Sequence, residues 1–540
     1  MADFGAWSLL PPALAIAVAI VTRRVYQSLL LGIFVAGVMV AGAATLQDGW
    51  LLGSLGALAG GIIQTVEWIV LGIADEYHAA VLAFTLFLGA LVALLQRSGA
   101  VRGFGEAAIR YAATKRRGQA LAWGVGAAFL AIDDYFHVIA AGAIFRPMTD
   151  RLRISREKLA YIIDSTAAPM VILVPFSTWV GVILSTTGGF FDDAGYADRT
   201  PFAVFLQGLP FNFYAILTVA FVGVVALTRI EYGPMRTAER RAELEGRLLR
   251  DGAKPLMSRE LAEMEALPGA RPRALNLILP VLFLFASALT MLFVTGYNEA
   301  AGNTSFFEAL QNARAELSLA IASFLTLLFA MVLYGLQGIL KQDEYMDTAM
   351  EGFKAMVPAL AILALAWGIG NAVGGDGVGL GDWISGAVGD AIAPATLPLL
   401  AFLLSAVIAF STGTSFGTFA IMIPVTLGTT LGSPDAGTWL GPVLAATLGG
   451  AVFGDHCSPI SDTTVMSSMA GHCDHIDHVR TQLPYALTVA LVAVAGYGAL
   501  ALTGEPWIAW VANLVLFAAV FGAAWLIGGI LDRRATRSAA

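Results

Sequence analysis

The chain has 540 residues, of which 58% are hydrophobic and 13% are charged, against about 25% charged residues in soluble proteins. The charged residues are grouped, and the apolar runs between them are about twenty residues long, enough to cross a hydrocarbon core of about 30 Å. This composition excludes an ordinary soluble enzyme and a nucleic-acid-binding protein, and it predicts an all-α polytopic membrane protein. The net charge of −8 says little about such a protein, and two cysteines cannot form a disulfide framework.

The first apolar run, residues 8–21, predicts a retained helix and not a cleaved signal peptide. Asp3 precedes the run and Arg23 and Arg24 follow it, whereas a signal peptide carries its positive charge before the apolar stretch. The same charge order predicts that the N-terminus lies outside.

The positions of the basic residues predict a consistent topology for the rest of the chain. All Lys and Arg residues except Arg199 and Arg314 lie in segments that can share one face, which the positive-inside rule makes cytoplasmic. We expect about eleven crossings, with the C-terminus in the cytoplasm. The expected spans lie near residues 8–22, 25–46, 79–97, 159–185, 205–228, 275–295, 317–339, 355–373, 441–470, 484–503 and 507–530.

Three further segments do not fit as simple crossings. Residues 51–73 start and end on the expected outer face, which predicts an interfacial or re-entrant piece. Residues 118–145 lie between two basic loops and are too short to cross twice, so we expect a re-entrant hairpin that enters from the cytoplasm. Residues 396–440 break at Gly413 and Pro424, and the sequence leaves open whether they form a hairpin or two full crossings.

An internal repeat and one charged segment divide the chain. Residues 229–273 carry 18 charged residues in 45, which predicts a cytoplasmic linker. Similar motifs recur in the same order on both sides of it but with opposite orientation, since an odd number of expected crossings separates them. Two inverted-topology repeats with broken helices are typical of secondary transporters. The expected division is N-terminal helices and an interfacial segment at 1–74, a first repeat half at 75–228, the linker at 229–273, connecting helices at 274–344, a second inverted repeat half at 345–480 and C-terminal helices at 481–540.

Several aspartates lie in otherwise apolar segments, beside residues that allow a helix to unwind. Carboxylates are costly inside a membrane, so each is a candidate functional group. Unwound carbonyls, hydroxyls and carboxylates supply the hard oxygen ligands that a small alkali cation prefers, and a carboxylate that takes either a cation or a proton couples the two fluxes. Asp164 and Asp455 occupy matching repeat positions and are the candidate Na⁺ ligands. The full candidate cation- and proton-binding set is Asp133, Asp134, Asp164, Ser165, Thr166, Asn371, Thr412, Thr414, Ser415, Asp455, Ser458, Asp462 and Thr463.

Structural interpretations compete with several of these assignments. Asp133 and Asp134 could pair with cytoplasmic arginines, and Asp462 could cap a helix through the threonines that follow it. Asn371 could form a plain interhelical hydrogen bond. The histidine-rich stretch 472–478 is spaced too tightly to resemble a structural zinc site.

Six stretches of this sequence resemble the NhaC family of sodium/proton antiporters, within the ion transporter superfamily. They are IDDYF at 132–136, RPMTD at 146–150, YIIDSTAAP at 161–169, GTSFGT at 413–418, GAVFGDHCSPISDTT at 450–464 and DHIDHVRTQLPYA at 474–486. The resemblance covers roughly residues 79–500. It implies an antiporter, but the family also includes exchangers of organic anions such as malate and lactate, so the resemblance leaves the substrate open.

Residues and resemblance together predict a bacterial-type inner-membrane antiporter that exchanges Na⁺ for protons by alternating access, and not an enzyme. The alternative is a Na⁺- or H⁺-coupled exchanger of a small organic anion or an amino acid. A remote alternative is an intramembrane protease, because Gly413–Gly417 matches G-x-S-x-G outside its usual strand-to-helix turn. The expected partners are Na⁺, protons and the lipid bilayer, without nucleic acid or a cofactor, and a homodimer is left open.

Overall fold

The structure, a computed structural model, is built from helices, and no β-strand occurs in the residues that it describes. Among the described residues, eleven helices are long and apolar enough to cross a membrane, by length and composition. They confirm the predicted all-α polytopic membrane fold. The described residues are 4–22, 24–45, 50–112, 114–129, 134–175, 177–194, 196, 198–228, 230–256, 266–267, 272–299, 313–374, 377–380, 383, 393–432 and 435–539.

The charged linker separates two series of helices. Before it lie α1 (Leu10–Thr22), α2 (Val25–Thr45), α3 (Trp50–Ala74), α4 (Glu76–Arg97), α5 (Ala100–Tyr111), α6 (Lys115–Phe129), α7 (Asp134–Arg151), α8 (Arg156–Thr166), α9 (Ala168–Val171), α10 (Thr178–Ala194), α11 (Pro201–Gly208) and α12 (Phe213–Thr228). The linker itself contains α13 (Gly233–Glu245). After it lie α14 (Leu275–Glu299), α15 (Ala315–Leu336), α16 (Gln342–Val373), α17 (Leu397–Thr412), α18 (Ser415–Leu431), α19 (Ala436–Cys457), α20 (Asp462–Ala470), α21 (His475–Thr503) and α22 (Pro506–Ala539).

Two pairs of consecutive helices form hairpins, α6 with α7 and α17 with α18. Helices α17 and α18 have 16 and 17 residues. At 1.5 Å per residue they are about 24–26 Å long, against a core thickness of about 30 Å, and α17 together with the short helical turn before it, Pro394–Thr412, is one of the eleven candidate spans. Gly413 joins them with a φ of +71°, and a Cβ there would lie 2.5 Å from the carbonyl oxygen of Ile460, so the turn requires glycine. Helices α17 and α18 therefore form a helical hairpin, and whether each crosses the membrane stays open. Helix α6 contacts α7, as expected for the hairpin predicted at 118–145, whose turn at residues 130–133 lies outside the described residues.

Two of the expected continuous spans are pairs of half-helices. The span expected at 159–185 is interrupted between α8 and α10, where α9 has only four residues and contains Pro169. The span expected at 441–470 is interrupted between α19 and α20, where Pro459 lies. Proline cannot donate a backbone hydrogen bond, which favours ending a helix at these positions. Both interruptions fall on the motifs that the sequence predicted to unwind.

The two halves of the fold repeat the same packing with exchanged partners. Helix α2 packs along α3 as α14 packs along α15, and α3 contacts α16 as α15 contacts α4. Half-helix α10 contacts the hairpin helix α18, and half-helix α20 contacts the hairpin helix α7. A two-fold relation between halves produces this exchange, in agreement with the predicted inverted repeats. The limits of the individual domains stay a prediction.

Residues 51–73 form continuous helix without the break that a re-entrant piece requires, and the interfacial alternative that the sequence predicted stays a prediction. They lie in the uninterrupted helix α3, which contains one of the candidate spans. The glycines that suggested an irregular segment instead allow α3 to lie close against α2, since a Cβ at Gly61 would come within 2.6 Å of the Val38 side chain. Gln64 donates a hydrogen bond of 3.2 Å to Glu67, so these two polar side chains of α3 pair with each other.

Candidate functional site

The tip of the hairpin α17–α18 lies in the gap between α19 and α20. The hydroxyl of Ser458 in this gap donates to the carbonyl oxygen of Phe410 in α17 at 2.8 Å. The backbone N–H of Asp462 donates to the carbonyl oxygen of Gly413 at 3.4 Å. These contacts bring the carboxyl ends of α17 and α19, with their partial negative charge, near each other.

Asp455 is buried on the last turn of α19, 1% exposed. One carboxylate oxygen, Oδ2, accepts hydrogen bonds from the hydroxyls of Ser415 at 3.0 Å and Thr463 at 3.3 Å. The other oxygen, Oδ1, has no hydrogen-bond partner among the described residues. A buried carboxylate oxygen without a partner is rare and is a position for a bound cation or a proton.

Asp462 begins α20 and lies beside Asp455 in the same gap. The hydroxyl of Tyr135 donates to its Oδ2 at 2.7 Å, and the backbone N–H of Thr463 donates to its Oδ1 at 2.7 Å. The N-cap of α20 is Ser461, whose hydroxyl accepts from the N–H of Thr464 at 3.1 Å. The capping role that competed for Asp462 therefore belongs to Ser461, and Asp462, the first residue of α20, joins the first hairpin to the broken helix.

Asp164 ends α8 and has a different environment. Its Oδ1 accepts from Ser467 at 3.0 Å, and its Oδ2 accepts from Thr464 at 3.3 Å, from Gln482 at 2.5 Å and from the ring of His478 at 3.2 Å. Each oxygen of this carboxylate thus has a donor from α20 or α21. A cation that bound to Asp164 would have to displace some of these hydrogen-bond donors.

The first turn of α20 connects the two carboxylate environments. Thr463 donates to Asp455 and the next residue, Thr464, donates to Asp164. His456 adds a second link, because it follows Asp455 in α19 and its Nε2 donates to the carbonyl oxygen of Asp164 at 2.9 Å. The two carboxylates are therefore connected through neighbouring side chains of α20 and through His456.

Buried carboxylates at interrupted helices are the arrangement that ion-coupled transporters use. A family model described as "Na+/H+ antiporter family" matches residues 170–502. The chain belongs to this family. It is accordingly a multi-span membrane protein and a secondary antiporter.

Relatives of this antiporter are known under several names. An uncharacterized protein of Haemophilus influenzae is 37% identical over 496 residues, which cover 91% of this chain and 90% of the relative. The malate-2H(+)/Na(+)-lactate antiporter of Bacillus subtilis is 29% identical over 197 residues, which cover 34% of this chain and 39% of the relative. An uncharacterized Na(+)/H(+) antiporter of Haemophilus influenzae is 32% identical over 167 residues, 29% of this chain and 33% of the relative.

Several predicted site residues have partners outside these carboxylate environments. In the antiporter, Asp134 accepts a hydrogen bond from the indole of Trp179 at 2.8 Å. Asn371 donates to the carbonyl oxygen of Trp68 at 3.0 Å, which is an interhelical hydrogen bond of the kind that was the alternative to a role as a cation ligand.

Four further predicted residues lie at helix ends or hairpin tips. Thr166 lies 2.9 Å from the ring of His137 and donates to the carbonyl oxygen of Ile162. Ser165 is buried beside it, Thr412 donates to a backbone carbonyl one turn earlier, and Thr414 caps α18 with its backbone. Asp133 lies outside the described residues.

Sequence reasoning missed the donors that hold Asp164. His478 and Gln482 are four residues apart on α21, so they lie on one face of that helix and reach the same carboxylate oxygen. That spacing was the available signal. The other residues of the stretch 472–478 contact different partners, His472 lying against Arg156 and His475 against Ser468. Among the described residues no group of three or more His, Cys, Asp or Glu side chains could hold a metal ion.

Arg146 is inside the fold, although the charge distribution placed it in a cytoplasmic loop. It lies within α7, 9% exposed, and lines a small cavity of about 30 Å³ together with residues of α4, α16 and α20. A long side chain can bury its stem while its charge stays near a helix end. The antiporter therefore has a basic side chain between the hairpin α6–α7 and the helices α4 and α16.

Proposed function

We propose that the antiporter exchanges Na⁺ for H⁺ by alternating access and that the two ions compete for Asp455. The observation that carries the proposal is the unpartnered Oδ1 of this buried carboxylate, whose other oxygen accepts from Ser415 and Thr463. Carboxylate and hydroxyl oxygens are the ligands that a hard alkali cation prefers. The nearby carboxyl ends of α17 and α19 add partial negative charge, which also favours a cation.

The charge of the site supports a neutralising ion. Asp455 and Asp462 are both buried in the gap between α19 and α20, and Asp164 is linked to them through Thr463 and Thr464. Burying carboxylates without a compensating charge is costly in a membrane protein. A cation or a proton on Asp455 reduces this cost, and competition between the two ions couples their movement in opposite directions.

Asp164 is the second proposed ion-binding residue. Its four donors stabilise the charged carboxylate without a cation, so we assign the first Na⁺ ligand role to Asp455. Through Thr464, the state of Asp164 would influence the first turn of α20 and hence Asp455. Loss of Asp164 is expected to impair exchange even though Asp455 is intact.

Alternating access is proposed to move the hairpins and broken helices against the helices α2, α3, α4, α14, α15 and α16. These six helices pack on one another in the exchanged pattern described above. Such a division is typical of transporters built from inverted repeats, in which one unit moves against another around a central site.

Proton movement in everted vesicles tests the proposal. Addition of Na⁺ should collapse a pre-formed pH gradient with the wild type, and Asp455→Asn should abolish the response because the amide cannot bind a proton or balance a cation. Asp435→Asn is the matched control, since Asp435 is exposed at the other end of α19 and its side chain caps nothing. A normal Na⁺ response of Asp455→Asn at equal expression would eliminate the assignment.

A second candidate, exchange of a small organic anion, rests on Arg146. A buried guanidinium on α7 can pair with a carboxylate substrate in a conformation that enlarges the adjoining cavity, which at about 30 Å³ holds no more than a water molecule here. The similarity to a relative named as a malate and lactate antiporter supports keeping this candidate. Uptake of radiolabelled malate, lactate and amino acids into proteoliposomes distinguishes the two: organic counterflow that is lost in Arg146→Gln favours this candidate, and Na⁺-driven proton movement without any organic counterflow excludes it.

A further inference from the structure

Residues 230–256, here called the linker cap, fold back onto the ends of three helices. Glu239 of α13 accepts from the backbone N–H of Ser155, just before α8, at 2.7 Å and from Gln119 of α6 at 3.4 Å. Arg250 donates to Asp477 of α21 at 2.8 Å. The linker cap is therefore a structured element fixed to α6, α8 and α21, and not only a solvated connector.

A cavity of about 310 Å³ lies between the linker cap and the first turns of α21. This volume is at the lower end of the range for small-ligand sites, about 300–1,000 Å³. Its charged lining consists of Arg241, Arg250, Arg480, Glu157 and Asp477.

The charges of this lining do not cancel. Arg241 contacts both carboxylate oxygens of Glu157 at 2.8 Å, and Arg250 pairs with Asp477 at 2.8 Å. Arg480 is exposed and has no hydrogen bond or ion pair with the described residues. One positive charge therefore remains at the cavity, beside two further guanidinium groups that are already held in place.

We propose that this cavity binds a phosphate-type anion, supplied by an anionic phospholipid headgroup or by a free phosphate compound. Guanidinium groups match the geometry of phosphate oxygens and hold them with charge-assisted hydrogen bonds. Arg480 would form the new ion pair, and the fixed groups of Arg241 and Arg250 would add positive potential. The proposal does not depend on which ion or substrate the antiporter exchanges.

The position of the cavity gives the anion a regulatory role. Arg480 lies on α21 between His478 and Gln482, the residues that hold Asp164, and Arg241 is tied through Glu157 to α8, which carries Asp164. An anion that joins the linker cap to α21 would stabilise this arrangement of α8 and α21, and so would favour one conformation of the transport cycle.

Binding of inorganic phosphate to the purified full-length protein in detergent tests the proposal, by calorimetry and by the thermal unfolding midpoint. Arg480→Gln should weaken phosphate binding at least about tenfold, because it removes the guanidinium that would form charge-assisted hydrogen bonds with the phosphate. Arg240→Gln is the control, because it removes an exposed arginine of α13 that does not line the cavity.

Nanodiscs of phosphatidylcholine with and without phosphatidylglycerol identify the source of the anion. Stabilisation by phosphate in detergent, lost in Arg480→Gln and kept in Arg240→Gln, supports a free phosphate compound. Stabilisation only by phosphatidylglycerol, with the same dependence on Arg480, supports a lipid headgroup. If neither probe stabilises the wild type, or if both variants respond alike, the proposal is wrong.

Discussion

Replacing Ser415 by alanine tests the cation site without changing its charge. The substitution removes one hydroxyl that donates to Asp455 at 3.0 Å and that would also be a Na⁺ ligand. A hydrogen bond to a charged group contributes about 1.5–3 kcal/mol, and each 1.4 kcal/mol changes an equilibrium tenfold. We therefore expect Ser415→Ala to raise the apparent KM for Na⁺ by about ten- to a hundredfold.

The pH dependence of this effect has a defined sign. The Ser415 hydroxyl stabilises the charged carboxylate, so its loss favours the protonated form and strengthens competition by protons. The increase in KM for Na⁺ should be larger at pH 7 than at pH 9. Proton flux in proteoliposomes across a series of Na⁺ concentrations measures KM and the maximal rate separately at each pH.

Ser405→Ala is the matched control for this measurement. Ser405 is buried in α17, the other helix of the same hairpin, and its hydroxyl has no hydrogen-bond partner among the described residues. The control should leave KM unchanged. An unchanged KM in Ser415→Ala, with Na⁺ binding at the wild-type level, would refute a cation site at Asp455.

Three further predictions concern coupling, topology and the linker cap. Competition at Asp455 should raise the KM for Na⁺ about tenfold for each unit by which the pH falls, in the range where the carboxylate binds its proton, with a smaller change in maximal rate. A KM that does not change with pH would point to a separate pH sensor. If α3 crosses the membrane, cysteines at Ala44 and Ala74 in a cysteine-free background should react with impermeant reagents from opposite faces. Labelling from one face would support the interfacial segment and the N-terminus outside that the sequence predicts. Lys158 is fully buried and pairs with Glu231 at 2.6 Å, so Lys158→Met should destabilise the protein by about 3–5 kcal/mol because it leaves the carboxylate unpaired, and a thermal midpoint in detergent equal to the wild type would contradict this.

The sequence by itself determined the class of fold, the hairpin at 118–145 and the positions of the helix breaks. These features depend on local properties: the length of apolar runs, the grouping of charges, and proline or glycine beside polar residues. The same local reading did not predict the uninterrupted helix at 51–73, because glycines that permit unwinding also permit close packing, and only the neighbouring helix α2 decides between the two outcomes.

Only the tertiary structure distinguished the carboxylates from one another. From the sequence, Asp164 and Asp455 were equivalent members of two repeats, but Asp164 has four donors and Asp455 has an oxygen without a partner among the described residues. The donors of Asp164 lie 300 to 318 positions away along the chain. Local pattern cannot specify such partners, because the hydrogen bonds form only when hairpins and half-helices from both repeats pack together, and this packing leaves one buried oxygen of Asp455 without a partner among the described residues.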